Sequence, residues 1–462
     1  MFARSVHIPL FFRQIRVINP SHVLTQARYA STSTSSNDIK QSLRNIAKRI
    51  ALVTMGYKVL AFGTVVGALG YTLYYDSEYA VINEMVKRFE NPSLQEWDES
   101  DAATIIARDD IQKLIKPLIH NENYEKMYAA IVGESGTGKS TAVRKAIRSI
   151  NGAKGVIYCL IASESEYSSE LQTALAFRAT NDYFQRYISK FIAQKEAIPT
   201  TPKTETDITW YKIKPLLKAA AIKYKSIHKK QPVLVIDAAD KLAKWNSVFF
   251  RYLQEFAKES ADSGIIRVVF VFSDSVALPT LRDKTNSYNS RLGTIVEVGD
   301  IADEDAIKFL EKQYKMENTK ATEMVKTITG GRFKMLYEYG KSTDTLAKIR
   351  EELNDDAETT LNYLKISPSA PIFFKLLEAG PSGLPIKIAS TLIEKEKCSL
   401  LLQNNIISQH PNRRYTFYSR QIEKYIQSKI EQQRIADQEN QRQIELEQQR
   451  IADQEKRRWF RW

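Results

Sequence analysis

Apolar positions in this chain fall into short unbroken runs, separated by longer stretches with helical spacing. Residues 128–132, 156–161, 233–236 (closing on Asp237), 268–272 and 294–298 are nearly all apolar and rich in β-branched residues. Runs of this length between helical stretches predict strands buried on both faces, hence a parallel sheet covered by helices on either side. Helical spacing predicts helices ending near His120, over 141–147, within 168–196, and from Tyr211 to His228, with a polar loop at 199–206. Towards the C-terminus, 370–379 and 384–392 predict two helices around the turn Gly380-Pro381-Ser382-Gly383. A third helix spans 394–403, and 404–418 predicts a β-hairpin turning at Pro411-Asn412.

One apolar run differs from the rest. Residues 59–75 carry no charge, and 51–57 extend the run with Lys58 as its single interruption. This length predicts a membrane span, with Lys58 snorkelling to one interface and Tyr71, Tyr74 and Tyr75 forming an aromatic belt at the other. Gly56, Gly63, Gly67 and Gly70 disfavour a soluble helix and are tolerated in lipid. Lys40, Arg44, Lys48 and Arg49 precede the run, whereas acids outnumber bases after it.

Residues 1–37 contain Arg4, Arg13, Arg16 and Arg28 and no acid, and Ser31 to Ser36 follow as a Ser/Thr stretch. This composition predicts a mitochondrial presequence; a secretory signal fits less well, because no apolar core runs far without an arginine. The positive flank of the span should then stay on the matrix side, leaving the body facing the intermembrane space. The net charge of +13 is spread along the chain and selects no partner by itself. Cys159 and Cys398 lie far apart in apolar segments, which excludes a disulfide framework and a zinc site.

The chemistry concentrates at Gly133-Glu134-Ser135-Gly136-Thr137-Gly138-Lys139-Ser140-Thr141, which fits G-x-x-x-x-G-K-[ST] between a predicted strand and a predicted helix. Glycines let backbone N–H groups turn inward around phosphates, and the helix N-terminus adds its positive end. Lys139 would reach the β- and γ-phosphates of ATP and Ser140 would hold Mg²⁺. Asp237, ending a strand about a hundred residues later, would hold the same Mg²⁺ through water.

Over roughly residues 103 to 425 the chain resembles the AAA+ P-loop ATPases, and among them the archaeal-type group with a C-terminal winged helix. Ala107-Arg108-Asp109-Asp110 resembles a motif upstream of the P-loop. Ser273 falls at the position of the polar first sensor, and Ser290-Arg291-Leu292 resembles the segment that supplies an arginine finger. Asp300 to Ala306 resembles the start of the helical lid, and Arg332, after Gly330-Gly331, the second sensor. The resemblance implies an α/β fold with a lid and winged helix, ATP and Mg²⁺ as cofactors, and a homo-oligomer, since a finger serves a neighbouring subunit. It also implies catalytic roles for Lys139, Asp237, Ser273, Arg291 and Arg332. One departure matters. The family's usual acid after the strand Asp is replaced by Ala238, followed by Ala239 and Asp240. Binding of ATP is therefore expected, and fast hydrolysis is not.

These readings divide the chain into a presequence (1–30), a basic juxtamembrane segment (31–50), a transmembrane helix (51–75) and a connector (76–102). The ATPase core (103–299), lid and linker (300–365), winged-helix-like domain (366–425) and charged Gln-rich tail (426–462) follow. In the tail, Glu-Gln-Gln-Arg-Ile-Ala-Asp-Gln-Glu occurs at 431–439 and again at 447–455. Its few apolar residues do not sustain a heptad, so a solvated helix is expected before a weak coiled coil. The expected function is an inner-membrane ATPase acting on a protein client. The alternatives are a hydrolysis-poor switch and a mitochondrial-DNA factor working through the winged helix. The balanced charges Glu394, Lys395, Glu396 and Lys397 disfavour nucleic acid, and the absence of H-E-x-x-H excludes a zinc protease.

Overall fold

A computed structural model describes residues 78–91, 108–120, 126–150, 154–176, 205–273, 281 and 287–459, with a scatter of positions between 41 and 67. The chain divides into two units, Met1–Ser77 and Glu78–Trp462. In the first, the described positions are helical. Among the described residues no helix is long and apolar enough to cross a membrane. The presequence at 1–30 and most of the 51–75 segment lie outside the described residues, as do 92–107 and 177–204.

The second unit is built on five parallel strands: β1 (Tyr128–Val132), β2 (Val156–Leu160), β3 (Val233–Asp237), β4 (Arg267–Phe272) and β5 (Leu292–Glu297). They run in the order β2-β3-β4-β1-β5. Side chains alternate between two apolar layers. Tyr128, Ala130 and Val132 enter one layer, whereas Ala129 and Ile131 enter the other, as the period of two requires. Helices α2 (Asp109–His120) and α3 (Lys139–Arg148) cover the second layer through Ile115, Ile119, Val143 and Ile147.

The first layer is covered by α5 (Glu205–His228) and α7 (Ser247–Ser263), through Trp210, Leu217, Phe249 and Phe256. Helices α4 (Tyr167–Ala174) and α6 (Ala239–Trp245) border it. Helix α1 (Glu78–Glu90), within the span read as a connector, also belongs to this core. Its Met85, Val86 and Phe89 are buried there, with Phe89 tilted against Tyr224 at 5.4 Å.

The lid comprises α8 (Asp303–Tyr314), α9 (Asn318–Met324), a π turn over Val325–Thr329, and α10 (Phe333–Gly340) around its own small core. Helix α11 (Leu346–Leu364) then leads into a third body. That body holds α12 (Pro371–Ala379), α13 (Ile386–Leu392) and α14 (Lys395–Gln403) beside a small antiparallel sheet. The sheet consists of β6 (Leu384–Pro385), β7 (Ile407–Gln409) and β8 (Arg414–Phe417). The expected hairpin is present. The helix expected over 384–392 begins only at Ile386, because Leu384 and Pro385 pair with Tyr415 and Arg414. Gly383, at φ 74°, makes the bend that sets this edge strand in place.

Helix α15 (Arg420–Trp459) runs through the expected boundary at 425/426 without a break. Ile422, Tyr425, Ile426 and Ile430, spaced at three, four and eight, are buried against the third body. Beyond them the helix is solvated, with Ile435 and Ile451 about half exposed.

Candidate nucleotide site

The motif at 133–141 lies between β1 and α3. Gly136 and Gly138 stand at φ 83° and 89°, and Gly138 caps α3. A side chain at either glycine would meet the lid: a Cβ at Gly136 would come within 2.5 Å of Lys334 Cβ, and one at Gly138 within 3.3 Å of the Phe333 ring. The Lys334 N–H donates to Gly136 O at 3.1 Å. The start of α10 therefore rests directly on the loop, a contact with no local signal in the residue pattern.

Inside the loop the Glu134 carbonyl gathers three donors. Lys139 Nζ lies at 2.6 Å, Thr137 Oγ1 at 3.0 Å and Thr137 N at 3.3 Å. Arg108 donates to Gly299 O at 2.7 Å and Thr137 O at 3.4 Å, tying the loop to the end of β5.

Lys139 is 3 % exposed. Burial brings its ammonium down from 10.5 to about 8, even though Glu134, Asp237 and Asp240 pull the other way. The folded value lies below the unfolded one, so between pH 8 and 10.5 the unfolded chain holds the extra proton and stability rises with pH. Phosphate binding needs the charged form. Nucleotide affinity is therefore expected to fall above pH 8, approaching about tenfold per pH unit. Equilibrium binding titrations between pH 7 and 9 check this, and a flat profile would refute it.

Asp237 ends β3 fully buried. Its Oδ1 accepts from Ala238 N at 2.8 Å and its Oδ2 from the Tyr158 hydroxyl at 2.5 Å. Asp240 Oδ1 accepts from Ser273 N at 2.7 Å, which brings the expected first sensor beside the first turn of α6. Ala238 stands at φ 58° and its methyl group belongs to the main apolar core.

Arg332 is held by Asp300, with Nε and NH2 donating to the two carboxylate oxygens at 3.1 and 3.3 Å. Its guanidinium lies 4.5 Å from the centre of the Tyr418 ring, and its buried NH1 has no hydrogen-bond partner. Gly331 is needed here, because a Cβ would fall 1.8 Å from Ile301 O. Gly133, Glu134, Thr137, Asp300 and Arg332 line one cavity of about 550 Å³ together with Ser408, His410 and Tyr418 of the third body. His410 also pairs with Glu297 at the end of β5.

Lys139, Asp237, Ser273 and Arg332 are thus brought towards one region, with Ser135, Ser140 and Thr141 supplied by the same loop and helix. Arg291 is not. It lies on a short 3₁₀ turn before β5, half exposed and paired with Asp262 at the end of α7. Sequence reasoning missed Tyr158 and Asp300. A phenol within an apolar strand was the only signal for the first, and the second has meaning only once the lid has folded back.

The donor set suits Mg²⁺, which takes few protein oxygens and completes its shell with phosphate and water. Among the described residues no group of three or more His, Cys, Asp or Glu is arranged to hold a metal unaided.

The family model described as "AAA domain" matches residues 122–277. The match supports an AAA-type nucleotide-binding domain in this part of the chain. No curated protein sequence matches the chain. Among solved structures, the chain is similar to a Walker-type ATPase of Pyrococcus abyssi, at 16 % identity over 70 % of this chain and 96 % of that one, TM-score 0.43. It is also similar to the ADP form of the ORC2 protein of Aeropyrum pernix, at 13 % identity over 74 % and 98 %, TM-score 0.37. A Cdc6p of Pyrobaculum aerophilum follows, at 12 % identity over 72 % and 98 %, TM-score 0.32.

Proposed function

We propose that the chain binds ATP and Mg²⁺ and acts as a slow, nucleotide-gated AAA+ ATPase whose state is coupled to a protein client or an assembly. The observation that carries this reading is the convergence of the P-loop, Asp237 and the lid's Arg332 on one region, with the loop and Arg332 lining one cavity. Ser140 and Asp237 would hold Mg²⁺. The metal would neutralise phosphate charge, and Lys139 and Arg332 would orient the β- and γ-phosphates. Arg291 lies before β5, partly exposed and paired with Asp262, and its resemblance to an arginine finger is what supports a homo-oligomer.

The arginine-rich start of the chain and the apolar run at 51–75 support anchoring in the mitochondrial inner membrane by one helix. The charge asymmetry around that run favours a body facing the intermembrane space. Three helices with a three-stranded antiparallel sheet support a winged helix in the third body. Its hairpin turns inward: His410 engages Glu297, and Arg414 donates to Ser382 O and Gly383 O. That use of the wing favours a packing or protein-contact role over contact with phosphates of DNA.

A second reading, a switch that hydrolyses almost nothing, is favoured by Ala238, which leaves the metal-side Asp without the usual neighbouring base. The test follows ATP binding and turnover in the same samples of residues 78–462, which contain all four apolar cores, beside a Lys139→Ala control. Turnover lost in the control supports the ATPase. Binding without turnover above the control supports the switch, and no binding refutes both.

A further inference from the structure

Asp237 is fixed at both oxygens, and one of its two partners comes from a strand outside the recognised motifs. Tyr158 on the edge strand β2 pairs with Val235 on β3. Residues 158, 235 and 237 therefore face the same side of the sheet, the side covered by α3. The phenol reaches diagonally along this face to Asp237 Oδ2 at 2.5 Å. Behind it, Arg144 Nε donates to the same phenol oxygen at 3.1 Å, and its guanidinium lies 5.2 Å from the ring centre.

The direction of this chain of bonds is fixed by chemistry. A guanidinium only donates and an ionised carboxylate only accepts, so the Tyr158 proton must point at Asp237. With Ala238 N–H on Oδ1, the carboxylate has no free rotation, and the remaining lone pairs keep one orientation. Arg144 sits five residues after Lys139 on the helix that begins at the P-loop. The phosphate-binding helix and the metal-side carboxylate are thereby linked through one phenol.

We infer that Tyr158, held by Arg144, is a positioning residue that orients Asp237 for the Mg²⁺ of the bound nucleotide. This rests on the nucleotide-binding reading above. Hydrogen-bond partners of direct metal ligands are worth about 10- to 100-fold in metal affinity. Tyr158, acting on a carboxylate that reaches Mg²⁺ through water, stands one shell further out, so its share is about 10-fold or less. Tyr158→Phe removes only the hydroxyl oxygen and keeps the ring beneath Arg144.

The test titrates Mg²⁺ against a fluorescent ATP analogue bound to the full chain, and compares affinity with and without the metal. In Tyr158→Phe the Mg²⁺ concentration at half-effect is expected to rise by about 3- to 10-fold, below the range for partners of direct ligands, with a much smaller change in the metal-free affinity. Arg144→Leu, which removes the outer donor, is expected to move the same quantity in the same direction by a smaller factor. If Tyr158→Phe does not fold, Arg144→Leu alone decides.

An unchanged Mg²⁺ requirement in a folded variant overturns the inference and leaves the nucleotide reading intact. So does an equal loss of affinity with and without Mg²⁺, which would mark a purely structural tyrosine. Failure of the unaltered chain to bind the analogue overturns both.

Discussion

Lys139→Ala is expected to weaken ATP binding by about 2–5 kcal/mol, or about 30-fold to several thousand-fold, the range for removing one partner of a buried charged pair. Lys139 is the buried ammonium inside the loop, and its Nζ now rests on the Glu134 carbonyl and the Thr137 hydroxyl. These neutral acceptors offset only part of the cost of burying a charge, which is why its pKa falls to about 8. Phosphate oxygens would add to the counter-charge that Glu134, Asp237 and Asp240 supply only in part. The same substitution should leave the unliganded fold at least as stable as before, because it removes a buried charge and retains the backbone of α3. Isothermal titration with ATP and a thermal melt without it test the two halves separately. Unchanged ATP affinity would remove the loop from the binding site.

The strands and the loop were legible in the sequence because their signals are local. Residues 128–132 and 233–237 are short apolar runs that tolerate no other placement, and the glycines at 133, 136 and 138 sit where the backbone must turn. Lys139, Asp237 and Arg332 lie close enough to interact electrostatically, and Ser273 is held beside Asp240, whereas Arg291 stands apart with Asp262. What was not legible depends on contacts between elements distant in sequence. The Asp300–Arg332 pair forms only when the lid doubles back, and Phe333 and Lys334 meet the loop only then. Tyr158 looks like strand filler until β2 pairs with β3. Helix α1 carried too short a pattern to reveal which surface it covers, yet Phe89 is fully buried. Pro385 was a missed signal. A proline at the second residue of an expected helix is tolerable, but after Gly383 it also suits an edge strand, and pairing with Arg414 decides the outcome.

Ala238→Glu supplies on paper the acid that the resemblance to AAA+ ATPases leads one to expect after the strand Asp, yet it is expected to lower stability and leave any ATP turnover unchanged. Residue 238 stands at φ 58°, ψ 37°, where its N–H caps Asp237 Oδ1 and α6 begins. Its methyl group is 6 % exposed and lies in the main apolar core. A glutamate built on this backbone would drive its carboxylate into that core at a penalty of several kcal/mol for an unpaired charge. Relief would require a different start to α6, which would also release Ser273 from Asp240. The expected result is a lower unfolding temperature with turnover at the native level. Turnover rising by the roughly 10²- to 10⁴-fold that a placed general base supplies would show that position 238 reaches the nucleotide after all. The native alanine is thus part of a turn built without that base, and the slow turnover proposed above would follow from the backbone as much as from the missing side chain.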